Sequence, residues 1–358
     1  MERDLTDELT DRVRAAAAAG QPLTLRGAGT KGFLGRAPEA TAAAEPLDLA
    51  EHGGILDYQP KELVASARAG TPLDVIEAAL AEQGQQLPFE PPHFGPGATL
   101  GGTVACGLSG PARPYGGGAR DLVLGVRVLT GRGEVLRFGG TVMKNVAGYD
   151  VSRLMAGAFG TLGVLLDISL KVLPIPSATQ TRTLACDQRE ALERLSRWGA
   201  RPLPVTATCW DGERLWVRLA GAEQGVRSAA AQIGGEPAED AERFWRDLIR
   251  EQGHPFFAGA TPLWRLSLPQ ATPPLDLPGP QLLEWNGGQR WLRSDAEPAA
   301  IRAAASAAGG HATLFRGGDR TGEVFHPLAG PVLALHRRLK SAFDPQGILN
   351  PGRMYPGL

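Results

Sequence analysis

The 29 residues from Gly97 to Gly125 read GATLGGTVACGLSGPARPYGGGARDLVLG and hold nine glycines. Few folds tolerate that density, because glycine forfeits backbone entropy on ordering and costs a helix about 1 kcal/mol relative to alanine. The stretch does not look like a flexible linker. Its glycines alternate with Thr, Val, Leu and Ala, and an apolar strand-like run follows at once. Thr99 reads as a helix N-cap, which puts Gly101 and Gly102 in the first turn. Something large must lie against that helix start. It is either a closely packed strand or an anion, such as a pyrophosphate, meeting bare main-chain N–H groups.

A second glycine loop lies upstream, Arg26-Gly27-Ala28-Gly29-Thr30-Lys31-Gly32, directly after Leu23-Thr24-Leu25. A strand that feeds consecutive small residues exposes N–H groups in a concave row suited to phosphate oxygens. The loop lacks both the G-x-G-x-x-G spacing and a following GK[ST], so alone it reads equally well as a turn. A third motif runs Met143-Lys144-Asn145-Val146-Ala147-Gly148-Tyr149-Asp150 and continues at Gly157-Ala158-Phe159-Gly160-Thr161-Leu162-Gly163-Val164. Such a turn lets a flat ligand lie against main chain. The plainer reading leaves Lys144 and Asp150 as surface charges and Tyr149 as a core residue.

Periodicity predicts a helix over Thr6–Ala19, strands near 23–26, 47–49, 55–58 and 63–69, and a helix capped by Thr71 with Pro72 at its first position. A hairpin is expected over 121–138 and a long apolar strand over 162–173, ending at Pro174-Ile175-Pro176. Beyond it the rhythm changes to strand, helix, strand, strand, helix, as in an α+β layer with an antiparallel sheet. The expected division is 1–175, 176–340 and a C-terminal segment, 341–358, that returns to the first domain.

A net charge of -1 with no like-charge block gives no nucleic-acid footprint. Cys106, Cys186 and Cys209 are far apart and form no C-x-x-C pair, so no disulfide framework or metal site is expected. No apolar run approaches the ~18 residues of a membrane span. A cytoplasmic protein is expected, on a membrane only through partners.

In this order the three motifs resemble the FAD-binding oxidases of the p-cresol methylhydroxylase and vanillyl-alcohol oxidase type. Within that family they resemble the FAD-binding subunits of glycolate oxidase. Four stretches carry the latter likeness: 89–94 (FEPPHF), 139–150 (GGTVMKNVAGYD), 310–316 (GHATLFR) and 343–345 (FDP). The resemblance implies a two-subdomain FAD-binding domain followed by an α+β cap. It implies oxidation of glycolate to glyoxylate, in a complex with a larger flavoprotein subunit and an iron–sulfur subunit.

The resemblance further implies that the pyrophosphate meets Arg26, Gly27, Ala28, Gly29, Thr30, Lys31 and Gly32, together with the helix start at Gly97, Thr99, Leu100, Gly101, Gly102 and Thr103. Pro92, Asp121, Gly148, Tyr149, Asp150, Gly160, Thr161, Gly163, Val164 and Asn350 complete the expected cofactor set. Many relatives attach the flavin through a His in the first loop. Thr30-Lys31 stands there in this chain, so the FAD is expected to be non-covalent.

Oxidation of a 2-hydroxy acid also needs a base and a cation for the carboxylate. His311, Arg316 and Lys144 are the candidates, with Arg290 and Arg293 as further cations. His311 reads equally as a plain strand residue, and Arg316 as part of a salt bridge. The His-x-Gly-Asp-Gly-Asn-x-His motif of the larger 2-hydroxy-acid dehydrogenases is absent, and Phe159 stands where they carry Glu. Two other readings therefore stay open: a non-catalytic assembly subunit of such a complex, and a stand-alone flavin oxidase.

Overall fold

A computed structural model describes residues 2–37, 43–140 and 150–358. It divides the chain into two compact units. The first holds Met1–Leu108, Gly118–Pro174 and Asp319–Leu358; the second holds Ser109–Gly117 and Ile175–Gly318.

The first unit is built on a five-stranded antiparallel sheet, ordered Ile55–Gln59, Val64–Arg68, Val164–Lys171, Val123–Leu129, Val135–Gly139. The long strand Val164–Lys171 is apolar because both of its faces are covered. Ile168 and Leu170 join the core formed with helices Leu73–Ala81 and Leu100–Cys106, through Leu73, Ile76, Leu100 and Val104. Val164 and Leu166 instead meet Leu9 and Val13 of helix Thr6–Ala19. Each fully buried aliphatic side chain of this kind contributes about 1.5–3 kcal/mol.

Helix Thr6–Ala19 has the bounds the sequence predicts. Gly20, at φ 63°, closes it in the left-handed conformation. Strand Leu23–Arg26 pairs in parallel with Glu45–Asp48. One capping expectation fails. Pro72 itself is the N-cap of Leu73–Ala81, and the Thr71 hydroxyl donates to Arg68 O at 2.7 Å instead.

The C-terminal return begins earlier than expected. Helix Gly330–Phe343 belongs to the first unit, where Leu339 and Phe343 pack on its core. Residues 319–340, expected in the cap, therefore sit with the flavin-type domain.

The second unit is an eight-stranded antiparallel sheet, ordered Glu236–Pro237, Ala178–Ala185, Arg214–Gly221, Val205–Trp210, Gln281–Glu284, Gln289–Arg293, Leu263–Ser267, His311–Arg316. Helices Gln188–Gly199 and Glu223–Ile233 bury Leu192, Leu195, Val226 and Ile233 on the sheet face that carries Leu215, Val217, Leu219 and Leu283. The opposite face carries Trp216 and Trp291. Phe244 stacks on Trp216 at 3.7 Å, and Phe257 meets Trp291 edge-on at 5.5 Å.

Ser109–Gly117 is an excursion into this unit. Trp285 Nε1 donates to Gly110 O at 3.0 Å, and the Arg113 guanidinium lies over the Trp285 ring. The glycine-rich stretch is therefore divided between two units.

Candidate functional site

The first unit contains a cavity of about 450 Å³, within the range of small-molecule and cofactor sites. Its lining brings together the loop Arg26–Gly32, the helix start at Thr99, Gly101 and Gly102, the turn at Phe159, Gly160 and Gly163, and Asn350 and Arg353 from the C-terminal return. Three separate glycine motifs and the tail thus converge on one space.

The glycines in this lining do different jobs. A Cβ on Gly101 would lie 2.6 Å from Ala69 Cβ, so this glycine answers to close helix–strand packing. A Cβ on Gly27 would overlap the Thr99 hydroxyl, so it lets the two loops touch. Gly102 differs: a Cβ there would meet only the Thr99 hydroxyl, at 3.1 Å. Gly29, at φ 76°, has open space within 4 Å. Gly102 and Gly29 leave main chain bare toward the cavity, and a side chain there would enter the space a ligand needs.

Thr99 holds the helix start by accepting from Gly102 N at 3.3 Å. Lys31 is buried, with its ammonium 3.1 Å from His93 O and 3.4 Å from Thr30 Oγ1. Arg353 donates to Gly32 O at 2.8 Å and to Arg36 O at 2.9 Å. Burial pushes its pKa below the ordinary arginine value. Two cations beside bare N–H groups make the cavity suited to an anionic ligand.

Cys106 also lines it, and burial pushes its thiol up to about 11, so it is a packed thiol rather than a nucleophile. Among the described residues, no histidine lines the cavity. Arg26, by contrast, directs its guanidinium to Asp48, at 2.7 and 3.1 Å.

The tail is locked in place by side chains. Asn350 accepts from Leu25 N at 2.8 Å and donates to Phe159 O at 2.7 Å, joining strand, turn and tail. Asp344 accepts from Ile348 N and Leu349 N, and its carboxylate pairs with buried Lys340 at 2.7 Å. The Lys340 ammonium also donates to Thr161 O and Leu349 O. The segment 344–350 (DPQGILN) is thus a capped turn that delivers Asn350.

Several expected cofactor residues stand elsewhere. Leu100, Thr103, Thr161 and Val164 are buried away from the lining, and the Thr161 hydroxyl donates to Ala158 O. Asp121 accepts from Gly118 N at 2.8 Å and closes a short helix. Asp150 caps Val151–Met155 through Arg153 N. Pro92 is buried outside the lining. Gly97 stands close by, since a Cβ on it would lie 3.8 Å from Ala28 Cβ. Gly148, Tyr149 and Lys144 lie outside the described residues.

Tyr115-Gly116-Gly117 belongs to the second unit and contributes nothing to this lining. Arg353 and Lys340 were missed by sequence reasoning. The available signal was a cation directly after Asn350-Pro351-Gly352.

His311 and Arg316 lie at opposite ends of strand His311–Arg316 in the second unit. Five residue steps of strand separate them by about 16 Å, so they do not form one constellation. Arg316 donates to Gln252 Oε1 at 2.9 Å.

Residues 4–139 match the family described as FAD binding domain, and residues 325–354 match FAD linked oxidases, C-terminal domain. The chain is 49% identical over 357 residues to the glycolate oxidase subunit GlcE of Escherichia coli (strain K12), covering 100% of this chain and 99% of that one. It is 31% identical over 177 residues to the glycolate oxidase subunit GlcD of Bacillus subtilis (strain 168), covering 49% of this chain and 37% of that one. A solved alkyldihydroxyacetonephosphate synthase shares the fold. Its TM-score is 0.67 at 15% identity, over 96% of this chain and 74% of that chain. Among the described residues, no helix is long and apolar enough to cross a membrane.

Proposed function

The chain belongs to the FAD-linked oxidases, in the family of glycolate oxidase subunit GlcE, and on that premise we propose that it is the FAD-binding subunit of a complex that oxidises glycolate to glyoxylate. The observation that carries this reading is the convergence of the Arg26–Gly32 loop, the Thr99–Gly102 helix start and Asn350 on one cavity with two cations. The cavity fits FAD in its chemistry. Bare main chain at Gly29 and Gly102 accommodates phosphate oxygens, and Lys31 and Arg353 offset their charge. Thr30-Lys31, in place of a histidine, keeps the cofactor non-covalent.

When bound, FAD supplies two-electron oxidation of a carbon bearing a hydroxyl. The chain's own residues have positional roles. Thr99 keeps the helix start open, Asn350 ties the tail to strand Leu23–Arg26, and Lys31 and Arg353 hold the negative end of the ligand. We assign the onward electron path to an iron–sulfur partner and the larger flavoprotein subunit, which would also account for any attachment to a membrane.

A second reading, an assembly subunit that keeps the flavin fold without oxidising substrate, is favoured by the separation of His311 and Arg316. Reconstitution decides between them. The purified chain should be yellow, and glycolate should bleach its flavin when partner subunits are added. Flavin retained without bleaching in the full complex supports the assembly reading. A colourless chain that refuses added FAD overturns the first reading.

A further inference from the structure

The segment from His93 to Gly97 lies along the first glycine loop. His93 O accepts from the Lys31 ammonium at 3.1 Å, and the Phe94 ring meets Phe33 edge-on at 5.4 Å. A Cβ on Gly95 would lie 3.3 Å from Thr30 Cγ2, and one on Gly97 would lie 3.8 Å from Ala28 Cβ. On its other side the segment meets helix Leu73–Ala81. His93 Nδ1 lies 3.0 Å from Asp74 Oδ1, and His93 Nε2 lies 3.3 Å from Glu77 Oε2. Asp74 and Glu77 stand three residues apart and share one face of that helix. One histidine therefore joins the helix, through its ring, to a cation of the cavity wall, through its carbonyl.

A neutral imidazole carries one N–H and one lone pair, and a lone pair aimed at a carboxylate is repelled. With a carboxylate at each nitrogen, the His93 ring is satisfied as an imidazolium that offers a proton to both. The charged groups that face it are Asp74 and Glu77 from the helix and, on its carbonyl side, Lys31 from the glycine loop. The backbone around it has little freedom. Pro91 and Pro92 fix φ just before it, and Glu90 and Phe94 sit at φ 45° and 55°. The ring is half-buried and Asp74 is exposed, so the proton exchanges with solvent.

We propose that His93 is a positioning residue for the cofactor, whose doubly bridged ring pins the 93–97 segment to helix Leu73–Ala81 and so holds Lys31 at the cavity, a hold that loosens as pH rises. The proposal deepens the reading of the cavity as the FAD site and rests on it. Its sign follows from the geometry. The two carboxylates favour the charged ring, so the bridge is complete at mildly acidic pH and is lost as the ring gives up its proton. A nitrogen lone pair then faces a carboxylate, the segment loosens, and the Lys31 ammonium is no longer fixed for the negative end of the ligand. The effect is modest, because Asp74 is exposed and solvent screens its charge.

The test is the FAD affinity of the full chain, measured by equilibrium dialysis from about pH 5.5 to about pH 8.5, a range that spans histidine titration and leaves carboxylates and lysines charged. Wild-type affinity should fall about 2-fold to 5-fold across it, the strength of a solvent-screened ion pair. The double variant Asp74→Asn/Glu77→Gln lacks the bridge and should bind at the weaker level with a flat profile. Both of its side chains reach solvent, so it remains informative if His93→Gln fails to fold. His93→Gln should likewise be flat. Added to Lys31→Met, it should cost no further affinity, because the ring acts through Lys31, and an additive loss overturns the proposal. A flat wild-type profile, or an equal slope in the double variant, also overturns it and leaves the FAD site intact. A slope that a chelator abolishes assigns the three side chains to a metal ion and overturns it too. A wild type that binds no FAD at any pH removes the FAD site and the positioning role together.

Discussion

Leu25 donates its amide proton to Asn350 Oδ1 at 2.8 Å, across 325 residues of chain. The same side chain donates to Phe159 O, so one amide group ties three cavity walls together. Asn350→Ala leaves two part-buried backbone groups without their partner, a cost of about 1–3 kcal/mol. FAD retention should fall together with the melting temperature, read by flavin fluorescence during thermal unfolding. Wild-type behaviour in both would mean that the tail does not organise the cavity.

Gly101 and Gly102 should respond in opposite ways, although they are adjacent. Gly101→Ala drives a methyl against Ala69 and should destabilise the FAD-free protein by about 1–3 kcal/mol. Gly102→Ala meets only the Thr99 hydroxyl, and helix propensity favours alanine there by up to about 1 kcal/mol. Its FAD-free form should be at least as stable as wild type while its FAD affinity drops. Chemical denaturation of both variants, with FAD titration of each, checks the contrast.

Arg353 offers the cavity a charge that Lys31 alone does not replace. Arg353→Met should weaken FAD binding by about 10-fold to 100-fold, equivalent to about 1.5–3 kcal/mol for a hydrogen bond to a charged group. Arg353→Lys should recover part of that, and the wild-type advantage should shrink as salt is raised. Equilibrium dialysis with FAD at two ionic strengths measures both effects.

Asp4 supplies a pH signature. Hydrogen bonding from Thr6, outweighing the opposing burial, lowers its carboxyl to about 2 from 3.8. A depressed carboxyl stabilises the folded state above its unfolded value and loses that contribution as pH falls through the folded one. The side chain is 46% exposed, so solvent screening keeps the gain below about 1 kcal/mol. Asp4→Asn should therefore melt slightly below wild type at pH 6 and match it near pH 2. A gap that persists at pH 2 would assign the effect to packing.

Much of the first unit was legible because its signals are local. Helix Thr6–Ala19 carries its own apolar spacing and its Gly20 stop, and Thr99 caps its helix as the sequence implied. Helix Gly330–Phe343 was hidden because Val332 and Leu335 remain exposed at 43% and 47%, which blurs the apolar stripe. His311 and Arg316 looked like partners because they are close in sequence. An extended strand instead holds them at its two ends.

The sequence by itself determined that bare backbone would be needed at Gly27–Gly32, Gly101–Gly102 and Gly160–Gly163, and it determined the family of FAD-linked oxidases. Backbone conformation and small-residue runs are written locally, so they can be read without the fold. Only the tertiary structure decided what each glycine serves: Gly101 faces Ala69, whereas Gly102 faces the cavity. It also sent Ser109–Gly117 to a different unit from the residues on either side. Those outcomes depend on which surfaces meet across hundreds of residues, as Leu25 and Asn350 do, and burial and hydrogen bonding are satisfied only once those surfaces have met.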